Sequence, residues 1–332
     1  MLWYIMILIV GGVGNCIVID VILRSKKIKR SAPFNVYILA LAIVDLVIAL
    51  VGLPIYVMST SFYDHPFGLS GEIVCKIWSG YFVQFWMAVV DIFLLAAICL
   101  ERRKAIINPF STLNQRRALK TVLIVVALFL LGGLVQSPTL VGLHYGKNNA
   151  TVGNHCHYSY SEEVSIILYF FVLIMEYVVT LVVMVVCYLQ VKQHIGNLQT
   201  KMDRTLTHVS VSNSKPVFQK YNRTIETMKL VILAYFICIT PNEVLYMVFQ
   251  FGHIDGISWN TDYFQISVLL RFTNACINPI LYSFHSQLFR GHFKELYPSV
   301  TKCFYSWVHS PRRQHRGTGY ARISSTSCSQ IL

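Results

Sequence analysis

Residues 35–58 read NVYILALAIVDLVIALVGLPIYVM, and Asp45 is the one charged residue in this stretch. An α-helix rises about 1.5 Å per residue, so this segment is long enough to cross a hydrocarbon layer about 30 Å thick. Six further apolar segments of comparable length occur along the chain. The complete set is 1–23, 35–58, 75–101, 118–143, 164–191, 228–251 and 262–284. The sequence therefore predicts an all-α membrane protein built as a bundle of seven transmembrane helices.

The composition is typical of a protein whose surface is largely in contact with lipid. Of the 332 residues, 55% are hydrophobic and 13% are charged, whereas soluble domains have about 25% charged residues. A net charge of +13 would favour nucleic-acid binding in a soluble protein. Here the basic residues lie between apolar segments, so we predict loops that face anionic lipid and no nucleic-acid partner. Barrel strands are about half as long and alternate in polarity, which excludes a transmembrane barrel.

The distribution of basic residues predicts how the chain is oriented. The loops after the first, third and fifth spans and the C-terminal tail carry nearly all of the 28 lysines and arginines. Basic loops remain on the cytoplasmic side, so the N-terminus is expected outside and the tail inside. The chain begins within its first apolar segment, which lacks the basic start of a signal peptide and is assigned as a span.

The second outer loop contains two further signals. Asn149-Ala150-Thr151 is a glycosylation sequon, and its predicted outer position makes Asn149 the expected acceptor. Cys156 lies in the same loop, and Cys75 opens the third span. Both cysteines face the oxidising side, which permits a Cys75–Cys156 disulfide; two free cysteines are the alternative.

Short motifs occur on the predicted spans in a fixed order. They are Gly14-Asn15 on the first span, Leu41-Ala42-Ile43-Val44-Asp45-Leu46 on the second, Glu101-Arg102-Arg103 and Pro109 after the third, Cys238-Ile239-Thr240-Pro241 on the sixth, and Asn278-Pro279-Ile280-Leu281-Tyr282 on the seventh. This series resembles that of the rhodopsin-like (class A) G-protein-coupled receptor family along nearly the whole chain. The resemblance implies a plasma-membrane receptor that binds an extracellular ligand and activates heterotrimeric G proteins.

The chain also departs from the family pattern. Ile239 replaces the tryptophan of the sixth span, Arg103 replaces a tyrosine, and Thr180 stands near the usual proline of the fifth span. The fourth span lacks its usual tryptophan, and the interval from Cys75 to Arg102 is two residues longer than usual. These differences indicate a divergent member of the family.

The resemblance assigns a switch between the resting and the G-protein-coupled state to Glu101, Arg102, Asn278, Pro279 and Tyr282. In the family, the arginine is held by its acidic neighbour at rest and meets the G protein on activation. A second acidic partner is usual on the sixth span. In this chain Tyr221 replaces it, so we expect a weakly held Arg102 and measurable signalling without ligand.

A layer of polar residues is predicted inside the membrane, about 15 Å from the cytoplasmic ends of the helices. It consists of Asn15, Asp45, Asp91, Asn274 and Asn278. Two neighbouring carboxylates cannot both remain ionised without a partner. The layer resembles the sodium site of the family, which predicts a sodium ion bound by Asp45, Asp91, Asn274 and Asn278. The alternative is a protonated carboxyl pair that only links helices.

A second polar layer is predicted nearer the outside. Gln84, Glu176, Glu243 and Arg271 reach similar depths from four spans, and by analogy with the family they line a ligand pocket with Asn242 and Tyr246. The alternative is that Glu243 and Arg271 simply pair. Gln84 occupies the place of the aspartate of amine receptors, so a peptide ligand is expected; a small cationic ligand is the alternative. Phe272 replaces the retinal lysine, which excludes an opsin.

The C-terminal part follows the seven-span domain, residues 1–284. Residues 285–298 have apolar side chains at helical spacing between basic ones, which predicts a short amphipathic eighth helix on the membrane lipid. Residues 299–332 are expected to be a disordered cytoplasmic tail, in which Cys303 is a candidate palmitoylation site. The serine cluster at 324–329 predicts phosphorylation by a receptor kinase and binding of arrestin.

Two other functional classes were compared with the receptor. A seven-span transporter would need broken helices or repeats, and the chain has no internal repeat. An enzyme would need a convergent nucleophile and base or a metal set. The sequence has no HExxH motif, and its histidines lie mostly in loops and in the tail. We therefore expect a receptor without enzymatic activity and without a cofactor other than sodium.

Overall fold

A computed structural model describes residues 2–24, 32–59, 66, 68–109, 117–147, 154–205, 208–251, 261–285, 291, 293, 295, 297 and 298. Over these ranges the protein has seven long helices and one antiparallel pair of strands. The helices are α1 (Leu2–Arg24), α2 (Pro33–Ser59), α3 (Leu69–Ile107), α4 (Arg117–Gly142), α5 (from Glu162 to Thr205), α6 (His208–Phe251) and α7 (Asp262–His285). The strands are β1 (Leu143–Lys147) and β2 (Asn154–Tyr158).

The helices confirm the predicted seven-span bundle. Within the described residues, six helical stretches are long and apolar enough to cross a membrane: Leu2–Arg24, Pro33–Ile55, Leu69–Ile107, Ala118–Gly142, Glu162–Met202 and Tyr221–Phe249. The seventh helix, α7, is 24 residues long, and its buried polar residues reduce its overall hydropathy. Helices α5 and α6 extend beyond the predicted spans because hydropathy marks only the part of a helix that lies in lipid.

Three of the helices contain a wider π-helical segment. These segments are Ile7–Gly11 in α1, Cys75–Ser79 in α3 and Leu173–Val178 in α5. In α3 the segment is followed by Gly80 and by Tyr81, which has a left-handed backbone with φ 59°. A π-turn holds more residues than an α-turn, so this irregular stretch accommodates the long interval between Cys75 and Arg102.

The strands form a hairpin that is fastened to the start of α3. Strands β1 and β2 pair antiparallel, with Tyr145 opposite Cys156. Cys156 forms a disulfide with Cys75, with a Cα–Cα distance of 5.7 Å, which confirms the predicted bridge. The Glu72 carboxylate accepts a hydrogen bond from the Tyr145 backbone N–H (2.8 Å) and lies 3.0 Å from the Lys76 ammonium. We call this end of the bundle the hairpin end. The sequon residue Asn149 lies outside the described residues.

A tryptophan on α3 fills a notch in α4. The indole Nε1 of Trp86 donates a hydrogen bond to the Phe129 carbonyl oxygen (2.9 Å), and the two rings have centroids 4.6 Å apart. The notch exists because α4 has two successive glycines. A Cβ added to Gly133 would lie 3.1 Å from the Trp86 ring, and one added to Gly132 would lie 2.7 Å from Val90 Cγ2. Helix α4 lacks a tryptophan of its own, and Trp86 of α3 lies in the interface between α3 and α4.

The chain divides into two compact units, Met1–His285 and Ser286–Leu332. In the second unit the Tyr297 N–H donates to the Phe293 carbonyl (2.8 Å), which is the bond of one helical turn. The amphipathic helix at 285–298 stays a prediction, because few of its residues are described. Cys303 and the serine cluster lie outside the described residues.

We predict that Gly132→Ala lowers the stability of the protein. The added methyl group would collide with Val90, and overpacking of this kind costs about 1–3 kcal/mol. Gly196→Ala is the matched control, because no atom lies within 4 Å of an added Cβ there and alanine has the higher helix propensity. Thermal unfolding of both variants in the same detergent measures the difference. Equal melting temperatures would contradict the close approach of α3 and α4.

Candidate functional site

A buried arginine joins three helices in the upper polar layer. Arg271 on α7 lies 2.7 Å (Nη1 to Oε1) from Glu243 on α6, and its Nη2 pairs with Glu176 Oε1 on α5. Arg271, Glu243 and Glu176 are 4%, 8% and 1% exposed. Removing one partner of such a pair leaves an uncompensated buried charge, which costs about 3–5 kcal/mol. We call Glu176, Arg271 and Glu243 the charged triad.

On α3, the neighbouring residues Gln84 and Phe85 have different surroundings in the upper polar layer. Phe85, and not Gln84, carries the described contact: the Arg271 guanidinium carbon lies 5.4 Å from the centroid of its ring. Gln84 is buried against α2, where a Cβ added to Gly52 would lie 2.9 Å from its Nε2. Its Oε1 has no hydrogen-bond partner among the described residues. Phe85 has no distinctive signal in the sequence, because it is one apolar residue among many in a membrane span.

Aromatic residues lie beside the triad on the hairpin side. The Tyr169 hydroxyl donates to the Glu243 backbone carbonyl (3.1 Å), and the ring of Tyr169 stacks on Tyr246 with centroids 5.0 Å apart. Tyr246 is also 6.5 Å from the ring of Phe264. The other predicted residue of this region, Asn242, donates to the Ser267 hydroxyl on α7 (3.1 Å) and is buried. Asn242 thus links α6 to α7. Tyr169 and Tyr246 form a stacked pair that we call the aromatic wall.

The lower polar layer is assembled from two carboxylate–amide pairs. Asn274 Nδ2 donates to Asp91 Oδ2 (2.7 Å), and Asn278 Nδ2 donates to Asp45 Oδ2 (3.0 Å). Asn15 bridges the backbones of α1 and α7 by donating to the carbonyls of Gly11 and Ala275 (2.9 Å each). All five polar residues predicted for this layer are buried. The structure therefore brings them together on α1, α2, α3 and α7.

The carboxylates of this layer retain binding capacity. Asp45 and Asp91 interact electrostatically and lie within hydrogen-bonding reach of each other, and the Oδ1 atom of each is buried and accepts no hydrogen bond from another of the described residues. Two such oxygens from two helices are the hard, anionic ligands that a small cation prefers. They can equally accept a proton, which would relieve the repulsion between the two groups.

A hydroxyl network connects α5 to α6 between the two layers. The Tyr235 hydroxyl lies 2.9 Å from Thr180 Oγ1, and 3.1 and 3.3 Å from the carbonyl oxygens of Tyr177 and Glu176. Both carbonyls belong to residues of the π-helical segment Leu173–Val178. Thr180 stands near the usual proline of the fifth span. The side chain of Tyr235 is fully buried, and sequence analysis did not identify it.

The switch residues lie at the opposite end of the bundle, which we call the arginine end. The guanidinium carbon of Arg102 lies 3.1 Å from the ring centroid of Phe34 on α2. The neighbouring Arg103 donates from Nε to Gln190 Oε1 on α5. Tyr221, at the place of the missing acidic partner, has its ring 6.5 Å from that of Phe218. The described contact of Arg102 is thus with an aromatic ring that the sequence did not indicate, and its pairing with Glu101 stays a prediction.

The remaining switch residues are on α7. Pro279 lies inside the helix and packs against α1, where a Cβ added to Gly14 would be 3.0 Å from its Cβ. Asn278 holds Asp45 as described above. The side chain of Tyr282 lies outside the described residues.

Comparison with known proteins places this geometry in a known family. A sequence profile described as 7 transmembrane receptor (rhodopsin family) matches residues 14–282. The chain is 26% identical over 300 residues to galanin receptor type 1 of Rattus norvegicus, covering 88% of this chain and 80% of the relative. It is 28% identical over 298 residues to somatostatin receptor type 2 of Mus musculus (88% and 75%). It is 25% identical over 307 residues to the [Phe13]-bombesin receptor of Bombina orientalis (88% and 74%).

We predict that Thr180 and Tyr235 stabilise the protein cooperatively. Thr180→Val or Tyr235→Phe alone should cost about 1–3 kcal/mol, because each leaves buried polar groups unpaired. The double variant should cost less than the sum of the two. A double-mutant cycle on thermal unfolding in detergent measures this coupling. The control cycle pairs Thr180→Val with Tyr263→Phe, at a tyrosine that is 45% exposed, and should be additive. Additivity in both cycles would contradict the network.

Proposed function

The chain belongs to the rhodopsin family of seven-transmembrane receptors, and from this premise we propose that it binds an extracellular peptide and activates heterotrimeric G proteins. It is a multi-pass protein of the plasma membrane and a receptor, not an enzyme. The similar proteins are named as receptors for galanin, somatostatin and bombesin, which supports a peptide ligand for this chain. We propose that the hairpin end and the N-terminus face the outside and that the arginine end faces the cytoplasm, in agreement with the positive-inside rule.

The buried charged triad is the observation that carries the ligand-site proposal. One guanidinium faces two carboxylates, so the triad has a formal surplus of one negative charge when both glutamates are ionised. A buried charge without compensation is costly. A ligand that presents an arginine, a lysine or an amino terminus would supply the missing positive charge. The aromatic wall of Tyr169 and Tyr246 suits such a group, because aromatic faces attract cations.

The ligand pocket is proposed to consist of Gln84, Glu176, Asn242, Glu243, Tyr246 and Arg271, as the sequence predicts. Gln84 would contribute from α3 through its buried Oε1 atom, which has no hydrogen-bond partner in the part of the chain that the structure describes. The same surplus charge would attract a small cationic ligand, which is the second candidate. The names of the relatives favour the peptide, and a peptide that ends in a cationic group satisfies both observations.

We predict that neutralising the triad weakens activation by peptide. Membranes that contain the receptor and a G protein are titrated with galanin, somatostatin and bombesin, and nucleotide exchange is measured. For the peptide that activates, Glu243→Gln and Arg271→Gln should each lower the potency roughly 30-fold, which is the loss of about 2 kcal/mol expected from a broken buried charge contact.

The matched control is Glu226→Gln, which lies on α6 like Glu243. The side chain of Glu226 is 57% exposed and pairs with Lys229 near the arginine end. This variant should leave the potency unchanged. If both triad variants reach the cell surface and respond like the wild type, the ligand does not contact the triad. If no peptide activates the receptor and an amine does, the second candidate is correct.

A sodium ion is proposed for the lower layer. Asp45 and Asp91 would bind it through their Oδ1 atoms, and Asn274 and Asn278 hold the Oδ2 atom of each carboxylate in place. The observation that supports the proposal is this pair of buried, neighbouring Oδ1 atoms, which accept no hydrogen bond from any other residue that the structure describes. A bound cation removes the repulsion between the two groups without a proton. Sodium would therefore stabilise the arrangement of α2, α3 and α7 in which Asn274 binds Asp91 and Asn278 binds Asp45.

We predict that sodium lowers agonist affinity in the wild type and that Asp91→Asn abolishes this effect. Agonist competition is measured in NaCl and in choline chloride at the same ionic strength, so that general screening is equal. Asp20→Asn is the control, because Asp20 pairs with Arg24 at the end of α1 and lies outside the layer. A sodium response that persists in Asp91→Asn would contradict the proposed site.

The cytoplasmic partners are proposed from the position of the arginine end and from the sequence of the tail. Arg102, with Glu101, Asn278, Pro279 and Tyr282, would form the switch that a G protein meets. A receptor kinase and arrestin would act on the serine cluster at 324–329. Membrane lipid would bind the amphipathic segment at 285–298, and Asn149 would carry a glycan outside.

A further inference from the structure

We propose that Phe34 is a positioning residue that holds Arg102 through a cation–π contact and thereby restrains signalling in the absence of ligand. The guanidinium carbon of Arg102 lies 3.1 Å from the centroid of the Phe34 ring. The proposal rests on the proposed role of Arg102 in coupling. It adds the Phe34 ring as a group that holds Arg102 in a chain that lacks the usual acidic partner on α6.

The contact is built from two well-formed helix ends. Phe34 lies in the first turn of α2, which begins at Pro33, and the Val36 N–H donates to the Ala32 carbonyl (3.1 Å) in this turn. Arg102 lies more than one turn before the end of α3 at Ile107. Both Phe34 and Arg102 are half-buried, so the contact is partly shielded from water. The positions of both side chains are thus determined by regular backbone.

The chemistry suits arginine and an aromatic ring. A guanidinium is planar and weakly hydrated, so it stacks on a ring face more readily than an ammonium does. The negative face of the ring attracts the cation, and partial desolvation strengthens the attraction. An ion pair near water contributes little, so the ring is a substantial addition to Glu101.

The neighbouring contacts indicate why a restraint is needed at this place. Tyr221 has replaced the second acidic partner, and its ring lies against Phe218. Arg103 is bound to Gln190 on α5, so the two arginines are directed to different helices. Arg102 cannot lie on the Phe34 ring and extend from the arginine end into a G protein at the same time. Coupling therefore requires that the ring contact is broken.

Fluorinated phenylalanines at position 34 test this inference directly, because fluorine withdraws the negative charge of the ring face with little change of shape. Full-length receptors with one, two or three ring fluorines are expressed with a G protein, and nucleotide exchange is measured without ligand. We expect basal exchange to rise with each fluorine, reaching about 5-fold, which corresponds to about 1 kcal/mol at 1.4 kcal/mol per tenfold. Phe34→Leu should give a similar rise, and Phe34→Trp should lower basal exchange.

The same fluorine series at Phe218 is the matched control, since the described partner of that ring is Tyr221; it should leave basal exchange unchanged. A flat series at position 34 would overturn the inference, and so would a falling one, which would mean that the ring supports the coupled state. Arg102→Ala separates the two proposals. If this variant is silent and the series at 34 is flat, only the role of Phe34 fails. If Arg102→Ala couples fully, the switch proposal fails and the inference fails with it.

Discussion

The pairing of Arg271 with two buried glutamates is the constraint on which the arrangement of α5, α6 and α7 depends. An arginine stays charged at any working pH, and in a membrane protein the interior of the bundle offers it no bulk water. Glu176 and Glu243 are on two different helices, so both helices must approach α7 at the same level. The contact tolerates little displacement, because a separated charge would be left buried. A ligand that competed for one glutamate, as we propose, would therefore act on the relative positions of three helices.

The same principle explains the rest of the polar interior. Several polar groups inside the bundle pair with a group on another helix: Asn274 with Asp91, Asn278 with Asp45 and Thr180 with Tyr235. Hydrocarbon provides no hydrogen bonds, so these pairs specify which faces of the helices meet. The Tyr235 hydroxyl adds hydrogen bonds to two backbone carbonyls in the π-segment of α5. Between the upper polar layer and the arginine end, the core thus contains a series of directional contacts.

Several departures from the family pattern have a physical explanation in the structure. The fourth span lacks its tryptophan, and Trp86 of α3 packs into the glycine notch of α4. The long interval between Cys75 and Arg102 is accommodated by the π-segment and the left-handed Tyr81. Helix α6 lacks the usual acidic partner of Arg102, and Arg102 instead contacts the ring of Phe34 on α2. The first and third cases involve an aromatic side chain from another helix, and the second involves the backbone of α3 itself.

The amino-acid sequence by itself determined the seven spans, the family and the polar layers, because hydropathy and charge are properties of the chain and the lipid selects the segments by them. It also indicated Cys75 and Cys156 as candidates for a disulfide. It did not indicate the β1–β2 hairpin, the turn of Gln84 toward α2, or the roles of Phe85, Phe34 and Tyr235. These were decided by the tertiary structure, because an aromatic residue in an apolar helix has no distinctive local signal. Its role depends on which charged or hydroxyl group a neighbouring helix brings to its ring, and that is a matter of helix rotation and packing.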